Sequence, residues 1–166
     1  MRNNAAGIAA RLTERRALQA DFAMPDDTSL RALLRSAKNI AILGAKDTPG
    51  QPVDRVGRYL LAQGYTVWPV HPVRRTVWGL TAFPCLAALP GPVDIIDVFR
   101  APLYCPEHAR ETLALPWRPQ CFWMQAGIAS PEARRMLEAA GVDVVENACL
   151  MVEHARLLHS AAEQQV

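Results

Sequence analysis

Short apolar runs separated by amphipathic stretches recur along this chain, and their lengths alternate between those of strands and helices. The run at residues 39–43, NIAIL, is apolar after its first residue and stops at Gly44, as expected of a strand covered on both faces. Pro52 then stands where a first helical turn tolerates a missing N–H, and Val53, Val56, Gly57, Leu60 and Leu61 share one helical face until Gly64. The alternation continues with a strand at 66–70 ending at His71-Pro72, and with a short third strand and a helical turn inside 76–89. It goes on with a fourth strand at 94–99, a helix at 106–115, a fifth strand at 121–125, a helix from Ser130-Pro131-Glu132 to Gly141, a sixth strand at 142–145 and a last helix over 150–162. Upstream, Asp27 or Thr28 can cap a helix that places Leu30, Leu33, Leu34 and Ala37 on one side and lies on the sheet as a lid. Residues 1–25 carry an irregular apolar stripe of Ile8, Leu12, Leu18 and Phe22, so 1–27 is read as a helical extension and 28–166 as one domain.

Strands alternating with helices predict an α/β fold: a Rossmann-like, doubly wound, mostly parallel sheet of five to six strands with helices on both faces. Such sheets bind ligands at the carboxyl ends of their strands, where the winding reverses beside the first strand. Segments 44–48, 70–75 and 99–100 should converge there. A helix opening just after the first loop aims free amides and its positive dipole end at that loop, which favours an anion, and Arg55 lies within its first turn or so. A phosphate-bearing ligand follows. The loop is neither a dinucleotide fingerprint, since Lys46 and Pro49 stand where its further glycines would be, nor a Walker A loop, since Gln51 follows Gly50.

A length of 166 residues sets about one domain, and a formal net charge of +2 argues against a nucleic-acid partner. All but two of the 18 basic residues, Lys38 and Lys46, are arginine. Cys85, Cys105, Cys121 and Cys149 are widely spaced with no C-x-x-C pair, so neither a zinc site nor a disulfide framework is signalled. No stretch approaches the length of a membrane span, and the apolar stretch before Arg11 is too short for a signal peptide, so a cytoplasmic protein without membrane contact is expected.

Several ordered motifs together carry a family resemblance. They are the loop Gly44-Ala45-Lys46, the R-V-x-x-Y-L helix from Arg55, the V-x-P strand end at Val70, VDIIDVFR ending at Arg100, W-M-Q-x-G from Trp123 and C-x-x-x-E-H-A-R from Cys149. Over residues 29–157 the chain resembles the small stand-alone CoA-binding proteins, which are similar to the Rossmann-like domain of the succinyl-CoA synthetase α subunit. The resemblance implies coenzyme A or an acyl-CoA as ligand, with Gly44, Ala45 and Lys46 at the phosphates. It implies Val70, His71, Pro72 and Arg74 beside the nucleotide, and Phe99 and Arg100 on the opposite wall. Two departures stand out: Lys46 replaces a small hydroxyl residue of the family loop, and His71-Pro72 replaces its usual N-P.

Catalytic groups are not evident, with no G-x-S-x-G and no H-E-x-x-H. His154 reads as a packed or solvated residue of the last helix, Cys149 as a small buried side chain at its head, and Asp97 as a structural carboxylate bonded to backbone amides of a neighbouring loop. The expectation is CoA binding without catalysis. The alternative is a nucleotide-dependent enzyme, an oxidoreductase or an acyl-CoA ligase component, on the same sheet. Homo-oligomerisation or a protein partner is left open.

Overall fold

The structure is a computed structural model and describes residues 24–159. Residues 1–23 of the expected extension and 160–162 of the expected last helix lie outside the described residues. The elements in order are α1 (Asp27–Ser36), β1 (Asn39–Leu43), α2 (Pro52–Ala62), β2 (Thr66–Val70), β3 (Thr76–Val77), β4 (Leu80–Thr81), β5 (Ile95–Val98), α3 (Cys105–Ala114), β6 (Cys121–Met124), α4 (Pro131–Ala139), β7 (Asp143–Val145) and α5 (Leu150–His154). A π-helical turn over Ala155–His159 extends α5.

Five strands pair in the order β2-β1-β5-β6-β7, all parallel. Period-two alternation along β1 sends Ile40 and Ile42 to one face, with Leu30 and Leu34 of α1, Val56 and Leu60 of α2 and Leu150 of α5. Ala41 and Leu43 go to the other, with Ala109 of α3 and Ala133 and Leu137 of α4. Helices therefore cover both faces, as expected. The chain winds outward from β1 to β2, then returns past β1 to β5, and that reversal opens a crevice at the carboxyl ends. The amino ends are latched by Asp94, whose carboxylate accepts from the amides of Lys38 and Asn39 and from Gln120 Nε2.

Three expectations are corrected. Asp26, not Asp27 or Thr28, caps α1: its Oδ1 accepts from the amides of Thr28 and Ser29, both at 2.9 Å. The segment at 76–89 adds no third strand to the sheet. Its alternating run is cut by a two-residue turn at Trp78-Gly79, both with positive φ, which folds β3 and β4 into a separate antiparallel hairpin. After the hairpin Phe83 runs along the outer edge of β2, where its amide donates to the Pro69 carbonyl and its carbonyl accepts from the His71 amide. Asp97 is not bonded to loop amides through its side chain; Gln125 Nε2 donates to its Oδ1 at 2.7 Å.

The hairpin is held against α2 by one side chain. Trp78 Nε1 donates to the buried Asp54 Oδ1 at 2.9 Å, and its ring lies on Gly57, where a Cβ would overlap the indole. Replacing a helical glycine by alanine ordinarily stabilises by up to about 1 kcal/mol. Here the sign should reverse: Gly57→Ala is expected to destabilise by about 1–3 kcal/mol through overpacking, read as a lower midpoint of chemical denaturation. A midpoint equal to or above that of the parent would show that Trp78 does not pack as described.

Candidate functional site

The first loop is shaped by backbone before any ligand is considered. The amides of Gly44 and Ala45 both donate to the Val70 carbonyl, at 3.0 and 3.3 Å, which draws the end of β1 onto the end of β2. From the other side the Phe99 amide donates to the Leu43 carbonyl at 2.9 Å, and a Cβ on Gly44 would overlap the Phe99 carbonyl oxygen. Gly44 is thus required by its positive φ and by the approach of another backbone. Its amide and that of Ala45 are already used, and Ala45 is buried. The amide of Lys46 is the first in the loop without a partner among the described residues. Lys46 and Arg100, together with Gln51, Pro52, Val53 and Phe99, line a cavity of about 270 Å³ at the mouth of α2.

The loop after β2 is tied to this one by an ion pair. Arg74 donates to Asp47 Oδ1 at 2.6 Å, and Asp47 Oδ2 accepts from the Trp78 amide at 3.4 Å. Arg74 therefore bridges the two loops, with its charge partly offset. His71 turns back on its own loop: its Nδ1 accepts from the amides of Val73 and Arg74, both at 3.1 Å. Burial first, then the neighbouring charges of Arg74, Lys46 and Arg100, hold its pKa below the ordinary imidazole value. Three cations from three loops thus bear on one ring.

Arg100 stands at the ridge between two cavities. Besides the one at α2, it lines a second of about 240 Å³ with Leu43, Gly44, Val70, Pro72, Tyr104 and His108. Its guanidinium lies 5.1 Å from the centre of the Tyr104 ring, within cation–π range. Its Nε is buried and has no acceptor among the described residues. On the far wall His108 Nδ1 meets Glu111 Oε2 at 2.9 Å. Arg100 on the near wall faces Glu107 and Glu111 on the far wall, a gradient that orients an anion towards the strand ends.

Comparison with known proteins decides the family. A profile of the CoA binding domain family matches residues 38–155. The chain belongs to that family. The protein YneT of Bacillus subtilis (strain 168) is 32% identical over 131 residues, covering 79% of this chain and 96% of YneT. A solved structure from Thermus thermophilus, cell-free ID.343, shares 47% identity with a TM-score of 0.77 and covers 81% of this chain and 100% of its own. A hypothetical protein from Pyrococcus horikoshii OT3 shares 31% identity with a TM-score of 0.77, over 83% of this chain and 94% of its own.

Within this CoA-binding domain, Lys46, Val70, His71, Pro72, Arg74, Phe99 and Arg100 gather at the carboxyl ends of β1, β2 and β5, with Gly44 and Ala45 forming the floor. Arg55 is exposed and lines neither cavity. Sequence reasoning missed Asp47, Tyr104 and Gln51. An acidic residue just past the loop lysine and an aromatic four residues after Arg100 were the available signals. Cys149 is half-buried at the carboxyl edge of the sheet, since the Ala148 amide donates to the Met124 carbonyl. His154 lies further down, 2.9 Å from the Tyr59 hydroxyl and packed against Tyr65. It borders a third cavity of about 510 Å³ at the amino ends of the strands, lined by Leu34, Lys38, Tyr65 and His159. That cavity is larger, but it lies at the end of the sheet away from the winding reversal and the loop amides. No helix among the described residues is long and apolar enough to cross a membrane.

Asp97 lies in β5, one strand step before the site. Burial pushes its carboxyl up to about 7, opposed in part by the Gln125 amide and the Val98 backbone N–H. Its Oδ2 is buried without a partner among the described residues, so the protonated form is the one the fold accommodates. A folded-state pKa raised above the unfolded value gives stability that is full below about pH 4 and lost as pH rises through about 7. Asp97→Asn is expected to flatten the stability profile between about pH 4 and pH 7 and to gain on the parent by roughly a few kcal/mol above that window. Parallel profiles for parent and variant would contradict this.

Proposed function

We propose that this protein binds coenzyme A or an acyl-CoA at the carboxyl ends of β1, β2 and β5, without chemistry of its own. The observation that carries the reading is Arg100: it lines both cavities, and its buried Nε lacks an acceptor among the described residues. A buried charged donor without a partner costs stability unless a ligand supplies an acceptor. The donor set fits the group. The Lys46 amide and ammonium, the His71 ring N–H and the Arg100 guanidinium are all donors, as phosphates require.

The nucleotide fits the cavity that runs between Val70, Pro72 and Tyr104, and the pyrophosphate fits the mouth of α2 beside Lys46. NAD fits poorly. No carboxylate ends β2 to accept from a ribose 2′-hydroxyl, and His71 stands there instead. Membership of the CoA binding domain family supports the same ligand.

CoA at about a hundred times its dissociation constant should stabilise the fold by roughly 2.7 kcal/mol, seen as a raised melting temperature, while NAD leaves it unchanged. Arg100→Ala should weaken CoA binding by about 1.5–3 kcal/mol, measured by calorimetric titration. A shift with NAD and none with CoA would overturn the assignment. Equal CoA affinity in the variant would move the ligand off the ridge.

A further inference from the structure

His71 is held in one tautomer by its own loop. Its Nδ1 accepts two backbone N–H groups, from Val73 and Arg74 at 3.1 Å each, so that nitrogen carries no hydrogen in the neutral ring. The hydrogen is then on Nε2, which makes no hydrogen bond among the described residues. The ring is half-buried at the end of β2. The charged groups around it come from every neighbouring element: Lys46 from the loop after β1, Arg74 beside it with Asp47 as partner, and Arg100 from the end of β5. Across the cavity that Pro72 lines stand Glu107, His108 and Glu111 of α3.

We propose that His71 donates its Nε2 hydrogen to the ribose phosphate of CoA and so distinguishes CoA from dephospho-CoA. This rests on the CoA-binding reading above and assigns one of its contacts. In a doubly wound sheet the end of the second strand is where the adenosine ribose lies, and an acceptor carboxylate there selects a free hydroxyl. A fixed donor among cations at the same place selects the opposite group, a phosphate. The pyrophosphate has its own donors at Lys46 and the mouth of α2. A second ring proton would have to sit on Nδ1, facing the amides of Val73 and Arg74, so the contact is made by the neutral ring.

His71→Asn separates the two ring nitrogens. The Asn Oδ1 can accept from the same loop amides as an Asx turn, which keeps the loop, but it has no donor at the Nε2 position. Calorimetric titration of parent and H71N with CoA and with dephospho-CoA at pH 8 reads the result. The ratio of the two affinities is expected to fall about tenfold in the variant, the worth of one charge-assisted hydrogen bond. An unchanged ratio, or equal loss for both ligands as a pyrophosphate contact would give, overturns the assignment of His71 alone. Failure of the parent to bind either ligand overturns the CoA reading on which it rests. Thermal unfolding of H71N checks the loop, and if the variant is unfolded, H71Q, with a distal amide donor, must retain the parent's ratio or the proposal fails.

Discussion

Three strand ends are locked together at Gly44. The Val70 carbonyl takes two amides of the first loop, the Phe99 amide takes the Leu43 carbonyl, and the Phe99 carbonyl lies where any side chain at 44 would be. Everything that gives the site its character follows from this closeness. It brings the charges of Lys46, Arg74 and Arg100, which come from three separate loops, near the His71 ring. It also leaves Arg100 straddling a ridge with a cavity on each side. The helix after the loop contributes its dipole, but the position of its mouth is set by the strands.

The cost of gathering like charges is met by the surrounding structure. Asp47 pairs with Arg74 and reaches the hairpin amide at Trp78, so one carboxylate joins two loops and a hairpin. The hairpin in turn is seated by Trp78 on Gly57 and Asp54, which fixes the outer flank of β2. Tyr104 gives Arg100 an aromatic face. Glu107 and Glu111 stand on the opposite wall of the cavity that Arg100 lines, and neither pairs with it among the described residues.

The order of the sheet strands and their helices, and the convergence of the loops after β1, β2 and β5, were legible in the sequence, because period and length carry them. Asn39–Leu43 and Thr66–Val70 were read to the residue, each bounded by a glycine or a proline that marks its end. The hairpin was not, because a tryptophan at positive φ is not a turn signal; only its contacts with Asp54 and Gly57 reveal why it sits there. Asp97 was recognised as structural, but its partner, Gln125, comes from the neighbouring strand end 28 residues away, and no local pattern could pair them. Likewise the resemblance implied Gly44 and Ala45 at the phosphates, and nothing local showed that the Val70 carbonyl takes both of their amides. Sequence reasoning sees which residues meet, but not which hydrogen bonds are already taken.

The central claim is that the carboxyl ends of β1, β2 and β5 form the ligand groove, and not the larger cavity at the amino ends. Amide chemical shifts of the isotope-labelled protein, followed through a CoA titration, test it residue by residue. The account predicts saturable shifts concentrated at Lys46, His71, Val73, Arg74 and Arg100. Shifts concentrated instead at Lys38, Gly64, Tyr65 and His154, with the first loop unmoved, would contradict it.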